Sequence, residues 1–335
     1  MFKPFFLSRR WWPWSIAGSI LILYATWYRV SLDVRVNEWF GGFYDMVQEA
    51  LGKPGSASLP EFWRQLTTFG ELAMLYVTIA VVLEFFIKHF IFRWRQAMNE
   101  HYMAHWEQLR SIEGAAQRVQ EDTMRFARIM EGLGVEFMRS LMTLAAFLPI
   151  LWTLSEKVTE LPWIGPVPHA MVWVAILSAM SGTVLLAVVG FKLPGLEFQN
   201  QRVEAAYRKE LVYGEDDPAR AGPPTVARLF GDVRRNYFRL FFHYLYFDVA
   251  KWSYLQFSVL IPLIALAPTV VAGVITLGVM QQITRAFDRV EGSFQFLVLS
   301  WGTIVELISV YKRLRAFERQ IVAQPAPAAD APGAA

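Results

Sequence analysis

Cysteine is absent from the 335-residue chain, which excludes disulfides, thiolate chemistry and cysteine-bound metal. Phosphate-binding signatures are missing as well. No G-x-x-x-x-G-K-[ST] loop, dinucleotide-binding glycine fingerprint, nucleophile elbow or kinase motif occurs. The chain is therefore read as carrying no ATPase and as a non-enzyme, with no catalytic residue and no cofactor assigned. Alternating strand patterns and short-period repeats are also missing. Charged residues make up only 18% and the net charge is +3, so bulk charge gives no case for a nucleic-acid partner. No cleavable signal is expected at the start of this sequence: Arg9 and Arg10 precede an apolar core too long and aromatic for one, and no A-x-A-like site follows.

Apolar sequence is plentiful. The chain is 55% hydrophobic with a mean hydropathy of +0.30, above the usual range for a soluble domain. Six long apolar stretches stand out, at 14–31, 70–87, 140–155, 169–191, 252–278 and 294–310. A helix crosses a bilayer with about 20 mostly apolar residues, so each stretch is predicted to be a membrane span. Trp11, Trp12, Trp14, Trp27, Trp39, Trp152 and Trp163 fall near the predicted interfaces, as in aromatic belts. The connections 88–139, 192–239 and 311–320 are rich in charge and are expected to be helices that leave the membrane and continue into water. The expected fold is an all-α polytopic membrane protein with six transmembrane helices and long cytoplasmic extensions.

Charge placement orients these spans. Lys3, Arg9 and Arg10 precede the first. Lys88, Arg93, Arg95, Arg110, Arg118, Arg125, Arg128 and Arg139 follow the second. Lys192, Arg202, Arg208, Lys209, Arg220, Arg228, Arg234, Arg235 and Arg239 follow the fourth, and Lys312, Arg313, Arg315 and Arg319 follow the sixth. The opposite loops hold only Arg29, Arg35, Lys53, Arg64 and Lys157, with no Lys or Arg from 252 to 284. The positive-inside rule then places both termini in the cytoplasm. One set of spans accounts for every basic run, which favours orientation over nucleic-acid binding.

Local signals sharpen the boundaries. Pro13 suits a first helical turn, and Arg29–Leu51 is expected to extend the first helix beyond the membrane. The run 52–56 reads as a turn. Ser58 is a predicted N-cap, with Pro60 and Glu61 in the first turn of the next helix. That helix is expected to run from Leu59 to about Ile112, with a break at Glu113–Ala116. Pro194-Gly195 is expected to interrupt the fourth helix before it resumes through Tyr213. Residues 214–224 read as a turn, and 262–278 as the link between the fifth and sixth helices. Residues 1–320 form one expected membrane domain, and the Ala/Pro-rich 321–335 an expected disordered tail.

Carboxylates supply the candidate chemistry. Glu113 and Glu131 are 18 residues apart, five turns of an unbroken helix, with Glu121 offset between them. Glu197, Glu204 and Glu215 step by 7 and 11 residues, which also keeps one face. Such carboxylates around a cavity could pass protons. From spacing alone, a solvated face paired with nearby arginines is the simpler reading. Glu71, Glu84, Asp248, Lys251 and Glu306 lie in or near apolar cores, where ionisable groups are costly. Asp248 and Lys251, three apart, can neutralise each other. His101 and His105 have a zinc-compatible spacing but lack the H-E-x-x-H glutamate. They are read as polar surface, and no metal site is assigned.

Five segments carry a resemblance. They are FRWRQAMNE from Phe92 to Glu100, IEGAAQRVQEDTMRF from Ile112 to Phe126, KLPGLEF from Lys192 to Phe198, QRVEAAYRKELVYGEDD from Gln201 to Asp217, and YKRLR from Tyr311 to Arg315. Over these runs the chain resembles the SbmA/BacA family of bacterial peptide transporters, from about the first span to the end of the sixth. The resemblance implies an inner-membrane homodimer with helices arranged like an ATP-driven exporter but without a nucleotide-binding domain. It implies proton-driven import of antimicrobial and related peptides in contact with the lipid bilayer, with protons moving along a glutamate ladder. The matching positions are Glu121, Glu131, Glu204 and Glu215, with Glu113 in the same motif. Longer members of that family carry an additional N-terminal membrane segment not found in this sequence. The competing expectation is the membrane subunit of an ATP-driven transporter that uses a separate ATPase; a membrane enzyme or an envelope scaffold is a further alternative.

Overall fold

The structure is a computed structural model that describes residues 1–112, 114–158 and 160–323, the side chains of residues 297, 298, 322 and 323 excepted. Every regular element among the described residues is helical. A short helix α1 (Lys3–Phe6) leads into a π-helical turn at Pro13–Ala17 and then α2 (Gly18–Gly52). Next come α3 (Leu59–Ala104), α4 (Trp106–Leu109) and α5 (Ala115–Gln117). A π-helical turn at Arg118–Asp122 precedes α6 (Thr123–Ile129), and another at Met130–Gly134 precedes α7 (Val135–Ser155). The rest is α8 (Ala170–Gly190), α9 (Leu193–Asp216), α10 (Pro223–Ser258), α11 (Leu260–Val271), α12 (Leu277–Leu299) and α13 (Trp301–Ala323).

Local chemistry accounts for several boundaries. Ser58 caps α3 as expected: its Oγ accepts from the Glu61 amide at 3.3 Å, and Pro60 lies in the first turn, where it needs no amide partner. α2 does continue through Arg29–Leu51, as expected. Three expectations are corrected. α3 ends at Ala104 rather than near Ile112, because His105 leaves helical geometry and its Nδ1 turns back to the His101 carbonyl at 2.8 Å. The link between the last two long runs is only 272–276, with Pro262 and Pro268 inside α11. Proline is tolerated near the first turn of α11, and Pro268 lies only three residues from its end. The expected tail also begins too early, since 321–323 continue α13; residues 324–335 lie outside the described residues.

Among the described residues, five helical runs are long and apolar enough to cross a membrane: Leu59–Ala104, Ala115–Ser155, Ala170–Asp216, Pro223–Val271 and Leu277–Ile321. The first expected span, 14–31, is helical but falls outside this set. Its Trp14, Tyr24, Trp27, Tyr28 and Arg29 dilute the apolar run. Large apolar side chains face outward along the set, as at Val81, Val82 and Phe85 on α3, 62%, 61% and 64% exposed. A water-facing helix would turn such residues inward; a lipid-facing helix does not need to.

Two cores hold the bundle, one at each end. At the end that carries Met1 and the C-terminal half of α13, α1, α3, α5, α6 and α13 pack around Phe5, Trp94, Tyr102, Phe126 and Phe317. At the other end, α7, α8, α11 and α12 enclose Phe147, Leu151, Met171, Leu266 and Phe287. There α12 also packs closely on α2. A side chain at Gly278 would meet the Gly41 carbonyl and the Asp45 carboxylate, so small residues allow the helices to approach. The Asp45 carboxylate then accepts from the Gly278 amide at 2.9 Å. A third, smaller core joins only α9 and α10 through Leu193, Leu196 and Leu240. These two helices form an arm that packs chiefly on itself.

Candidate functional site

A cavity of about 580 Å³ lies among α2, α3 and the entry to α7, lined by Arg29, Glu84, Arg128, Glu131 and Glu136 beside Ile87 and Val135. The π-helical turn Met130–Gly134 places Glu131, half-buried, at this wall. Such turns are frequent at functional sites because they shift the side-chain phase of a helix. The cavity charges are mostly bound to near neighbours. Glu84 accepts from Lys88 at 2.9 Å, and Glu136 from the Arg139 Nε at 3.0 Å. Arg29 donates to the Tyr76 hydroxyl at 3.0 Å, and its Nε is buried with no hydrogen-bond partner. Glu131 has no ion pair among the described residues, which leaves its carboxylate available to solvent or ligand in the cavity.

Beyond it runs a polar seam along α12. The Asp33 carboxylate accepts from Arg289 at 2.9 Å, linking α2 to α12. Glu291, only 6% exposed, accepts from the Ser178 hydroxyl on α8 and from the Tyr254 hydroxyl on α10, the latter at 2.9 Å. Gly182 leaves the space in which the Tyr254 ring sits. Sequence reading missed this seam, because its apolar windows stopped on either side of it. A signal was available: Ile283, Ala286, Phe287 and Val290 recur at i, i+3, i+4 and i+7, and all four are fully buried. That stripe marks an amphipathic helix whose other face carries Arg285, Asp288 and Arg289, with buried Glu291 on its flank.

The expected ladder is divided between two bodies. Glu113 lies outside the described residues. Between Glu121 and Glu131 the π-helical turns at Arg118–Asp122 and Met130–Gly134 shift the side-chain phase of the run. Glu121 is held by Arg125 at 2.7 Å and by Gln117 at 3.1 Å. Arg125 also stands 3.7 Å from Glu306, so these two predicted carboxylates share one cation. Next to them, buried Asp122 accepts two hydrogen bonds from Arg313, at 3.0 and 2.7 Å. Glu204 and Glu215 lie on α9, half-buried and exposed respectively, and the 7- and 11-residue steps of that series hold on this unbroken helix. Glu197, on the same helix, accepts from Tyr244 on α10 at 2.8 Å. α9 packs closely on α10 and not on the turns that carry Glu121 and Glu131. Asp248 and Lys251 pair at 3.3 Å, as their spacing expects. His101 and His105 stack edge to face at 4.9 Å, and the described residues contain no group of three His, Asp or Glu side chains able to hold a metal ion.

The sequence profile of the SbmA/BacA-like family matches residues 8–322. The chain is 24% identical to the inner membrane ABC transporter ATP-binding protein YddA of Escherichia coli (strain K12) over 349 aligned positions, covering 97% of the chain and 60% of that protein. It is 24% identical to the uncharacterized ABC transporter ATP-binding protein sll0182 of Synechocystis sp., covering 93% of the chain and 47% of that protein. An uncharacterized ABC transporter ATP-binding protein of Haemophilus influenzae is 24% identical across 73% of the chain and 43% of its own length. The chain thus spans about half the length of these curated relatives.

Proposed function

Because the chain belongs to the SbmA/BacA-like family, we propose that it imports peptides and peptide-like compounds across a bacterial inner membrane, driven by protons. The arrangement proposed is six spans with both termini in the cytoplasm, an exporter-like set of helices, and two copies per transporter. The observation that carries this reading is the charged cavity among membrane-crossing helices, with the unpaired Glu131 at its wall. Charge inside a bilayer is costly and is kept where it binds or moves something. A cavity with cations and carboxylates suits a zwitterionic cargo such as a peptide and offers water a path to the carboxylates.

The divided ladder supports the two-copy arrangement. Glu204 and Glu215 ride on the α9–α10 arm, away from Glu121 and Glu131. A second copy set against the arm would bring the two halves of the ladder to one cavity, and a two-fold pair is the commonest closed assembly. The basic clusters after the second, fourth and sixth spans favour both termini inside, and the helicity of 14–31 favours counting it as a sixth, interfacially aromatic span.

A second reading has its own support. The relatives are named as ATP-binding proteins and are longer than the matched region, so an ATP-driven transporter with this chain as its membrane part is the alternative. Sealed vesicles holding the purified protein separate the two. A labelled peptide should accumulate when the outside is made acidic, with no ATP present. Uptake that ignores the pH gradient and appears only with ATP and an added ATPase would establish the alternative.

A further inference from the structure

Two cavities meet beside the N-terminal segment. The first, about 700 Å³, runs between α2, α3 and the start of α7. Its wall is nearly all apolar, with Ile22, Leu23, Phe90, Ile91, Phe137 and Met138 among its residues, and Lys3 is the single charge. The second, about 740 Å³, adjoins it at Lys3 and Leu7 and adds His101, Arg315, Glu318 and Arg319. Both are within the size of ligand sites.

The charge balance of the second cavity is one-sided. Its only carboxylate, Glu318, is already occupied: it pairs with the Met1 amino group and accepts from the Tyr102 hydroxyl at 3.1 Å. Nearby cations are engaged elsewhere, Arg10 with Glu100 at 3.1 Å and Arg93 over the Trp14 ring at 3.7 Å. Lys3, Arg315 and Arg319 have no ion pair among the described residues. Leu7, at the join, is 76% exposed. Arg315 also lies over the Tyr311 ring at 5.9 Å. An apolar slot between membrane helices therefore opens onto three cations that have no carboxylate partner among the described residues.

We propose that this composite site binds an anionic phospholipid. An acyl chain fills the slot past Leu23 and Phe137, and the phosphate lies on Lys3, Arg315 and Arg319. A peptide segment would not suit the slot, whose wall offers its backbone amides almost no partners. Basic pockets between membrane helices hold anionic headgroups for this electrostatic reason. The lipid belongs to the leaflet on the side of Lys3 and Arg319. The assignment rests on the transport reading only in calling that leaflet cytoplasmic.

The test uses the full chain, delipidated in mild detergent, with retained lipid read by native mass spectrometry. Phosphatidylglycerol should be retained at least tenfold better than phosphatidylcholine. Neutralising the cations together, as Lys3→Gln, Arg315→Gln and Arg319→Gln, should weaken phosphatidylglycerol by about fivefold for each charge removed and leave phosphatidylcholine unchanged. Filling the slot with Leu23→Trp should weaken both lipids. Millimolar inorganic phosphate should displace neither. Equal retention of the two lipids by the unaltered protein would overturn the proposal. So would unchanged phosphatidylglycerol binding in a neutralised variant that melts like the parent, or displacement by phosphate, which would mark a simple anion site. Glu131→Gln should keep the lipid preference whether or not it transports, so this test fails or succeeds apart from the transport reading.

Discussion

A carboxylate that carries protons must titrate, and an amide in its place cannot. Glu131→Gln and Glu204→Gln keep size and most hydrogen bonding, so both variants are expected to fold, pair and bind peptide. Gradient-driven uptake should fall by at least tenfold in each, a loss of about 1.4 kcal/mol or more in the driving step. Glu121→Gln and Glu215→Gln should lose less. Glu121 already sits against Arg125 at 2.7 Å, and Glu215 is exposed, where water can substitute. Wild-type uptake by the two main variants would return these residues to an ordinary solvated face. At this scale the sequence was a partial guide. The i,i+3 pairing of Asp248 with Lys251 could be read directly, because both partners lie on one helical turn. The sharing of Arg125 between Glu121 and Glu306 could not, because its partners lie 185 residues apart in the chain.

Among the elements, the α9–α10 arm carries the strongest consequence. Its own small core leaves aromatic side chains facing out, with Phe238 and Phe241 65% and 56% exposed. These are the enriched residue types of protein interfaces, and they lie among Arg234, Arg235 and Arg239, outside the expected spans. If the arm embraces a second copy, Phe238→Asp with Phe241→Asp should halve the native mass in mild detergent while helicity by circular dichroism stays the same. A dimeric mass for this variant would move the two-copy contact elsewhere. Helix existence was legible here from apolar runs, and caps such as Ser58 from local hydrogen-bonding chemistry. The π-helical turns at Arg118–Asp122 and Met130–Gly134 were not. Arg118–Asp122 has ordinary helical propensity, and Gly132 and Gly134 loosen the second turn without specifying its register; α6, between the two turns, packs on α3 and α13.

For the whole molecule, the orientation is testable without reference to mechanism. A reporter joined after Arg319 should mark the cytoplasm, and one inserted near Lys53 the periplasm. The reverse at either point would invert the cavity and the lipid site with it. Membrane character was legible in the sequence alone, and the proposed direction rests on it too, because the cost of apolar surface in water and the bias of Lys and Arg act on composition, whatever the packing. The five strongest spans needed no more than that. Tertiary structure decided what composition cannot hold. It joined Asp33 to Arg289 across 256 residues and buried Glu291 between Ser178 and Tyr254. It opened a charged cavity at Glu131 and parted that residue from Glu204. Each depends on which helix faces which, a choice made by long-range packing and by close approaches such as Gly41 with Gly278, and no single helix encodes it.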